Sequence, residues 1–353
     1  MLDQFGFKLP IIQAPMAGVS TPELASEVSN AGGLGSIGVG ATDAAGARAM
    51  IDALRTRTDR PFNVNVFVHQ SPTPDRVCEA AWLDALRPSF EAFGAKPPAS
   101  LRTIYKSFVD DHDMQALLIE SKPAVVSLHF GLPSDDVIGA LKSAGIKLLA
   151  TATSIEEARK IEVAGIDGIV AQGIEAGGHR GMFDSSSPDD GLGTFALTRL
   201  LVRECTVPVI AAGGIMDGAG IRSVLDLGAA AAQLGTAFIS CPESAADDAY
   251  RAALMGEGAW HTRMTDAISG RPARALANRF TALAETLDIG SPDYPIAYDA
   301  GKALNAAAKA KGEFGFGAQW AGQGAPLSRA MPARELVATL MREYQEAGRS
   351  QAA

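Results

Sequence analysis

The residues best suited to chemistry lie in one stretch, Gly168–Gly181, which reads GIVAQGIEAGGHRG. Its apolar start is long enough for one buried strand. The glycines that follow exclude a helix and let backbone approach a flat or anionic ligand, since no Cβ intervenes. Within that setting stand one amide, Gln172, and one imidazole, His179, from a chain with only five histidines. An imidazole held there invites a catalytic reading; the plain alternative is a loop histidine hydrogen-bonded to solvent.

A second group lies far downstream. Tyr294, Tyr298 and Lys302 are spaced four apart, so a helix opening at Asp293-Tyr294-Pro295 puts all three on one face. Two phenols and an ammonium on one stripe make a receptor for a small carboxylate, although such a stripe can equally be packing. Tyr105 adds a phenol if the two regions meet.

The elements that must position these groups follow a regular rhythm. Short apolar strands are expected at 11–14, 34–37, 62–67, 125–128, 147–150, 168–171, 208–211 and 231–234. Helices separate them, several stopped by Ala-Gly or Leu-Gly, as at Ala144-Gly145, Ala164-Gly165 and Leu227-Gly228. Eight alternations predict a (β/α)8 TIM barrel over an open doubly wound sheet. Residues 72–122 are too long for a barrel loop and read as an insertion. After Ser240 the rhythm stops, and a second, mostly helical segment is expected to about 325. The expected division is therefore 1–71 and 123–240 for the barrel, 72–122 and 241–325 for a helical substrate domain over its mouth, and 326–353 for a C-terminal helix packing back.

Barrels work at the C-terminal ends of their strands. There this chain places Ala14, Met16 and Ala17 after the first strand, Asn65 on the third, His129 on the fourth, Gln172 to His179 after the sixth, Gly213-Gly214 after the seventh and Gly235-Thr236 after the eighth. Glycines after the last two strands stand where barrels bind phosphate, unless they are ordinary turns. Amides beside a phosphate site suit a phosphorylated planar cofactor such as FMN. Gly33–Gly38 matches GxGxxG, but it overlaps a strand instead of leading into a helix, so it is not a dinucleotide fingerprint.

Composition narrows the partners. The 353 residues are 47% hydrophobic and 20% charged, with a net charge of −9 and no basic run, which disfavours nucleic acid and anionic membrane. Cys78, Cys205 and Cys241 lack disulfide or metal-ligand spacing. No signal peptide or spanning segment is read, so a cytoplasmic location is expected.

Taken together, the motifs resemble the nitronate monooxygenases, particularly the bacterial class I group. They are QAPMAGVSTPELASEVSNAGGLG from Gln13, FNVNVF from Phe62, SLHFGLP from Ser127, AQGIEAGGHRG from Ala171, AAGGI from Ala211, QLGTAF from Gln233, SGRPAR from Ser269 and WAGQG from Trp320. The resemblance implies a barrel holding non-covalent FMN. It also implies oxidation of alkyl nitronates, typically propionate 3-nitronate, by O2 through single-electron transfer to flavin, giving an aldehyde or oxo acid plus nitrite or nitrate. By matching motif, His179 is the expected catalytic residue. Asn65, Gln172, Gly177, Gly214, Gln233, Leu234, Gly235 and Thr236 are expected FMN contacts, joined by Ala14, Met16, Ala17, Gly178, Gly213, Trp320, Gln323 and Gly324. Tyr105, His129, Tyr294, Tyr298 and Lys302 are expected around the substrate. No metal is expected, and monomer and homodimer stay open. The rival readings are an NAD(P)H-dependent FMN reductase of quinones or enoyl thioesters, a phosphate-sugar barrel, and a non-enzymatic carrier.

Overall fold

The computed structural model describes residues 2–350. Its strands, in chain order, are β1 Ile11–Gln13, β2 Gly35–Gly38, β3 Phe62–Phe67, β4 Val125–His129, β5 Lys147–Ala152, β6 Gly168–Gln172, β7 Gly178–His179, β8 Val209–Ala212, β9 Ala231–Leu234, β10 Thr262–Thr265 and β11 Ala273–Leu276. Eight of them form one parallel sheet in the order β1-β9-β8-β6-β5-β4-β3-β2. Backbone bonds from Gln13 N to the Leu34 carbonyl (3.0 Å) and from Leu34 N to the Ile11 carbonyl (2.9 Å) join its two edges. The result is the expected (β/α)8 barrel, and Gly33–Gly38 lies largely within β2 rather than at a strand-to-helix turn.

Helices form where hydroxyl or carboxylate caps precede apolar-periodic runs. Thr21, Asp43, Ser134, Ser154 and Asp217 each accept a backbone N–H in the first turn of the helix they open. Gly35 lets the first of these helices, Pro22–Asn30, lie against β2: a Cβ there would stand 1.8 Å from the Ala25 carbonyl oxygen.

Two features depart from expectation. The helix His112–Ser121 lies in the stretch read as insertion, yet Met114, Leu117 and Leu118 join the barrel's own apolar cluster with Val64 and Val126. Only the preceding helix, Arg76–Ala92, packs elsewhere: Trp82, Leu86 and Phe90 share a core with Phe280, Ile296 and Leu304. The region after Ser240 is not simply helical either. β10 and β11 pair antiparallel, and β7, read from sequence as loop, adds to β11 as a third strand through Gly178–Arg274 and His179–Ala273. This small sheet and the helix Ile296–Lys309 cap the strand ends. The closing helix, Ala333–Ser350, buries Leu336, Val337 and Leu340 in one cluster with Leu24, Val28, Ile221 and Val224. It thereby fills the outer position left by the four-residue helix Thr236–Ile239 after β9.

Candidate active site

A cavity of about 760 Å³ opens between the barrel's strand ends and the cap. It brings together nearly all the expected residues. Ala14, Met16, Ala17, Asn65, Gln172, Gly177, Gly178, His179, Gly213, Gly214, Gln233, Gly235, Thr236, Trp320 and Gly324 line it, as do Tyr105, His129, Tyr294, Tyr298 and Lys302. Leu234 and Gln323 do not. Strand alternation turns Leu234 away from the cavity that Gln233 faces and into the core behind β9. Gln323 points to solvent while its N–H donates to the Glu175 carbonyl (2.9 Å).

His179 is held on all sides. β7 pairing fixes its backbone, and its carbonyl accepts from Gln172 Nε2 (3.0 Å) and His129 Nε2 (3.2 Å). Gln172 Oε1 accepts from Gly181 N (2.7 Å), and His129 Nδ1 lies 3.0 Å from Thr151 Oγ1. Both ring nitrogens of His129 are thus engaged inside the protein, so it braces the loop instead of offering a ring nitrogen to substrate. Gln172 likewise clamps that loop at both ends of its amide. Next to His179, the buried Arg180 makes a two-pronged pair with Asp189, at 2.7 and 3.0 Å.

The His179 ring sits among aromatic groups: Trp320 at 5.0 Å between centroids, Tyr294 at 5.3 Å and Phe130 at 5.7 Å. Burial, then the positive ends of His129, Arg271 and His69, push its pKa down to about 3. The imidazole is neutral throughout the physiological range. Phe130 reaches its place with a left-handed backbone (φ 79°), uncommon for a bulky residue, and the Arg271 guanidinium lies 4.3 Å from its ring centre.

Tyr294, Tyr298 and Lys302 meet at the cavity, but the helix starts later than expected. The helix begins at Ile296, so Tyr294 precedes it while Tyr298 and Lys302 lie on it. Burial raises the pKa of all three phenols, Tyr105 to about 12, which keeps them neutral donors. Lys302 Nζ stands 4.9 Å from the Tyr105 ring centre and 5.3 Å from that of Tyr298. Its nearest acid in sequence, Asp299, is taken by Arg102 through three contacts of 3.1–3.4 Å. No ion pair to Lys302 forms among the described residues, and its ammonium faces the cavity. The Tyr294 hydroxyl is buried without a hydrogen-bond partner among the described residues, so a ligand can supply one.

On the opposite side, Gly213 and Gly214 take positive φ (123° and 69°). At the opening of the Thr236–Ile239 turn the Phe238 N–H already donates to the Gly235 carbonyl (2.9 Å), which leaves the Thr236 and Ala237 N–H groups to face an anion. Glu175, which sequence reasoning missed, occupies the start of helix Thr194–Glu204: its carboxylate accepts from Thr194 N (2.8 Å) and Thr194 Oγ1 (2.9 Å). That helix end is closed to an anion, and the Gly213-Gly214 and Gly235-Thr236 turns are what remain for a phosphate. Asn65 Nδ2 is bound to Ser127, at 3.1 Å to the carbonyl and 3.0 Å to Oγ, while its Oδ1 has no partner among the described residues.

Also missed was His69, buried with both ring nitrogens unpartnered among the described residues, edge-on to Tyr294 at 4.9 Å. Burial first, then Arg271, lowers its pKa to about 4. The unfolded chain takes up this proton near pH 6.5, so stability present above that pH is lost as pH falls toward 4. The loss from this residue is about 3 kcal/mol. A His69→Phe variant is expected to lose less stability between pH 7.5 and 4.5 than the parent, as read from denaturant midpoints; equal losses contradict the assignment.

Fold and site define a barrel enzyme whose ligand cavity, at the strand ends, pairs a neutral imidazole with an unpaired ammonium and glycine turns fit for an anion. Comparison with known proteins gives the same class. The family model described as nitronate monooxygenase matches residues 1–343. The chain is 63% identical over 349 residues to the nitronate monooxygenase of Paraburkholderia phytofirmans, covering 98% of this chain and 95% of that one. It is 54% identical to that of Pseudomonas aeruginosa, covering 97% and 99%. Among solved structures, the nitroalkane oxidase of Streptomyces ansochromogenes superposes with a TM-score of 0.89 at 40% identity, over 99% of this chain and 100% of that one. FabK of Thermotoga maritima is less similar, with a TM-score of 0.75 at 29% identity, over 99% and 97%. This chain belongs to the nitronate monooxygenase family. No helix among the described residues is long and apolar enough to cross a membrane.

Proposed function

We propose that the protein is an FMN-dependent nitronate monooxygenase that oxidises small alkyl nitronates, propionate 3-nitronate among them, with O2. The observation that carries this reading is the pairing, in one cavity, of a neutral His179 with an ammonium, Lys302, that forms no ion pair among the described residues. The residues present fit FMN: positive-φ glycines and the Thr236 and Ala237 N–H groups for its phosphate, Asn65 Oδ1 for its ring, and backbone of Gly177 so close to Ala321-Gly322 that a Cβ would stand 2.5 Å from Gly322 N. When bound, the cofactor supplies the one-electron acceptor and the reaction with O2.

The chain's own residues do the rest. Lys302, flanked by Tyr105 and Tyr298, holds the substrate carboxylate by a charge-assisted contact. The Tyr294 hydroxyl, unpartnered until a ligand arrives, donates to an anionic oxygen. His179 stays neutral beside the nitro oxygens, and for a neutral nitroalkane it accepts the α-proton. Its depressed pKa makes it a weak base, which favours ready-made nitronates over nitroalkanes. His129, Gln172 and the Arg180–Asp189 pair keep that imidazole in place. The cap comprises the helix Arg76–Ala92 with the turn to Tyr105, and most of 241–325, in this reading.

The test is the absorbance spectrum of the purified protein, followed by propionate 3-nitronate without oxygen. A yellow protein whose flavin spectrum changes on adding the nitronate supports the proposal. A yellow protein that ignores it and bleaches with NADH or NADPH is a reductase, and a colourless protein that takes up no FMN overturns the flavin reading.

A further inference from the structure

His179 Nε2 lies 2.9 Å from Ser269 Oγ, and the same Oγ lies 3.2 Å from the Arg271 carbonyl. A serine hydroxyl has one hydrogen to give. A carbonyl can only accept, and this one receives no other hydrogen bond among the described residues. Giving the hydrogen to Arg271 leaves Ser269 Oγ as an acceptor facing the imidazole, so the imidazole must be the donor. The opposite arrangement sets the Ser269 and Arg271 oxygens against each other with no hydrogen between them, in a place where Ser269 is wholly buried.

We infer that Ser269 is a positioning residue that locks His179 in the Nε2–H form and leaves Nδ1 as the only ring nitrogen able to take a proton from substrate. The inference rests on the reading of His179 as the base. Nδ1 makes no hydrogen bond to the described residues, and its ring lines the cavity. The same geometry serves after proton transfer. The substrate Cα–H bond breaks, its electron pair passes into the nitro group to give the nitronate, and the proton forms the Nδ1–H bond. Nε2–H still points at an oxygen that accepts, so neither side chain has to turn.

The local chain is built to keep this serine still. Ser269 N and Gly270 N both donate to the Asp266 carbonyl, at 3.1 and 2.6 Å. Gly270 (φ 88°) is pressed so closely on the next segment that a Cβ would stand 2.3 Å from the Pro292 carbonyl oxygen and 2.6 Å from Tyr294 N. The turn carrying Ser269 is therefore seated against the residue that begins the substrate stripe.

The experiment is a long-range 1H–15N spectrum of the holoenzyme labelled at histidine nitrogen, with the His179 signals assigned by their loss in His179→Asn. The expected pattern for His179 is Nε2 protonated and Nδ1 bare. An Nδ1–H pattern overturns the inference while leaving the nitronate reading intact; a protein inert to nitronates overturns that reading while the tautomer stands. Ser269→Ala is expected to show both tautomers and to lower kcat/KM for a neutral nitroalkane about tenfold, with a smaller loss on the preformed nitronate and unchanged flavin content. A Ser269→Ala protein with an unchanged tautomer and unchanged nitroalkane kinetics overturns the role of Ser269. The wild-type spectrum decides the tautomer even if that variant does not fold.

Discussion

In a His179→Asn variant, flavin content is expected to stay at the parent level while turnover of neutral nitroalkanes falls by about 10²- to 10⁴-fold, the range for losing a positioned general base. Loss on preformed nitronates is expected to be about tenfold or less, because their α-proton is already gone. Asparagine overlays only the Nδ1 edge of the ring and falls short of the Nε2 position that meets Ser269 Oγ, so the variant removes that bond and part of the contact with Trp320, Tyr294 and Phe130. The basic nitrogen lone pair is lost with them. The assay compares kcat/KM for nitroethane and ethyl nitronate on both proteins, beside the flavin absorbance. Equal losses on the two substrates remove His179 from the role of base and leave it a contact to the nitro group.

Replacing Lys302 with methionine is expected to raise KM for propionate 3-nitronate by roughly 10- to 100-fold, the worth of one hydrogen bond to a charged group. KM for an uncharged alkyl nitronate is expected to change by no more than a few-fold. Methionine preserves most of the stem that passes Tyr105 and Tyr298, so the variant removes charge more than volume. The contrast is sharp because Lys302 forms no ion pair among the described residues: Asp299, which acts on it only at a distance, is held by Arg102. If both substrates lose affinity alike, the ammonium acts by shaping the cavity and the carboxylate lies elsewhere.

The barrel was legible because each of its strands is a short apolar run bounded by glycine, proline or a cap, and those signals act locally. Phe62–Phe67 shows it, with alternating amides that the structure turns toward the barrel interior and the cavity. The three-stranded sheet was not legible for the converse reason. β10 reads Thr-Arg-Met-Thr and β7 is Gly-His, neither with a periodicity that names a strand; they are strands because of what they pair with. The site divides in the same way. Glycines and histidine at strand ends carry their own signal, whereas Ser269, Glu175, Phe130 and His69 acquire meaning only from partners brought in by the fold. Ser269 and Arg271 stood in a recognised motif, SGRPAR, without an assigned part. Leu234 could have been set aside from sequence, since the residue after an inward Gln233 on a strand points outward.

The addition of β7 to β11 has a bearing on how such a molecule can change over generations. Most strand-end loops of a barrel are free to lengthen, shorten or be exchanged, because the scaffold beneath does not depend on them. Here the histidine begins from barrel strand β6 but completes a sheet whose other two strands come from nearly a hundred residues later. Exchange of the 262–276 hairpin for an unrelated one would remove the edge against which Gly178 and His179 are aligned, together with Ser269 beside the imidazole. On the function proposed above, substrate preference can drift through Tyr105, Lys302 and their neighbours one residue at a time, while barrel and hairpin have to be inherited as a single piece.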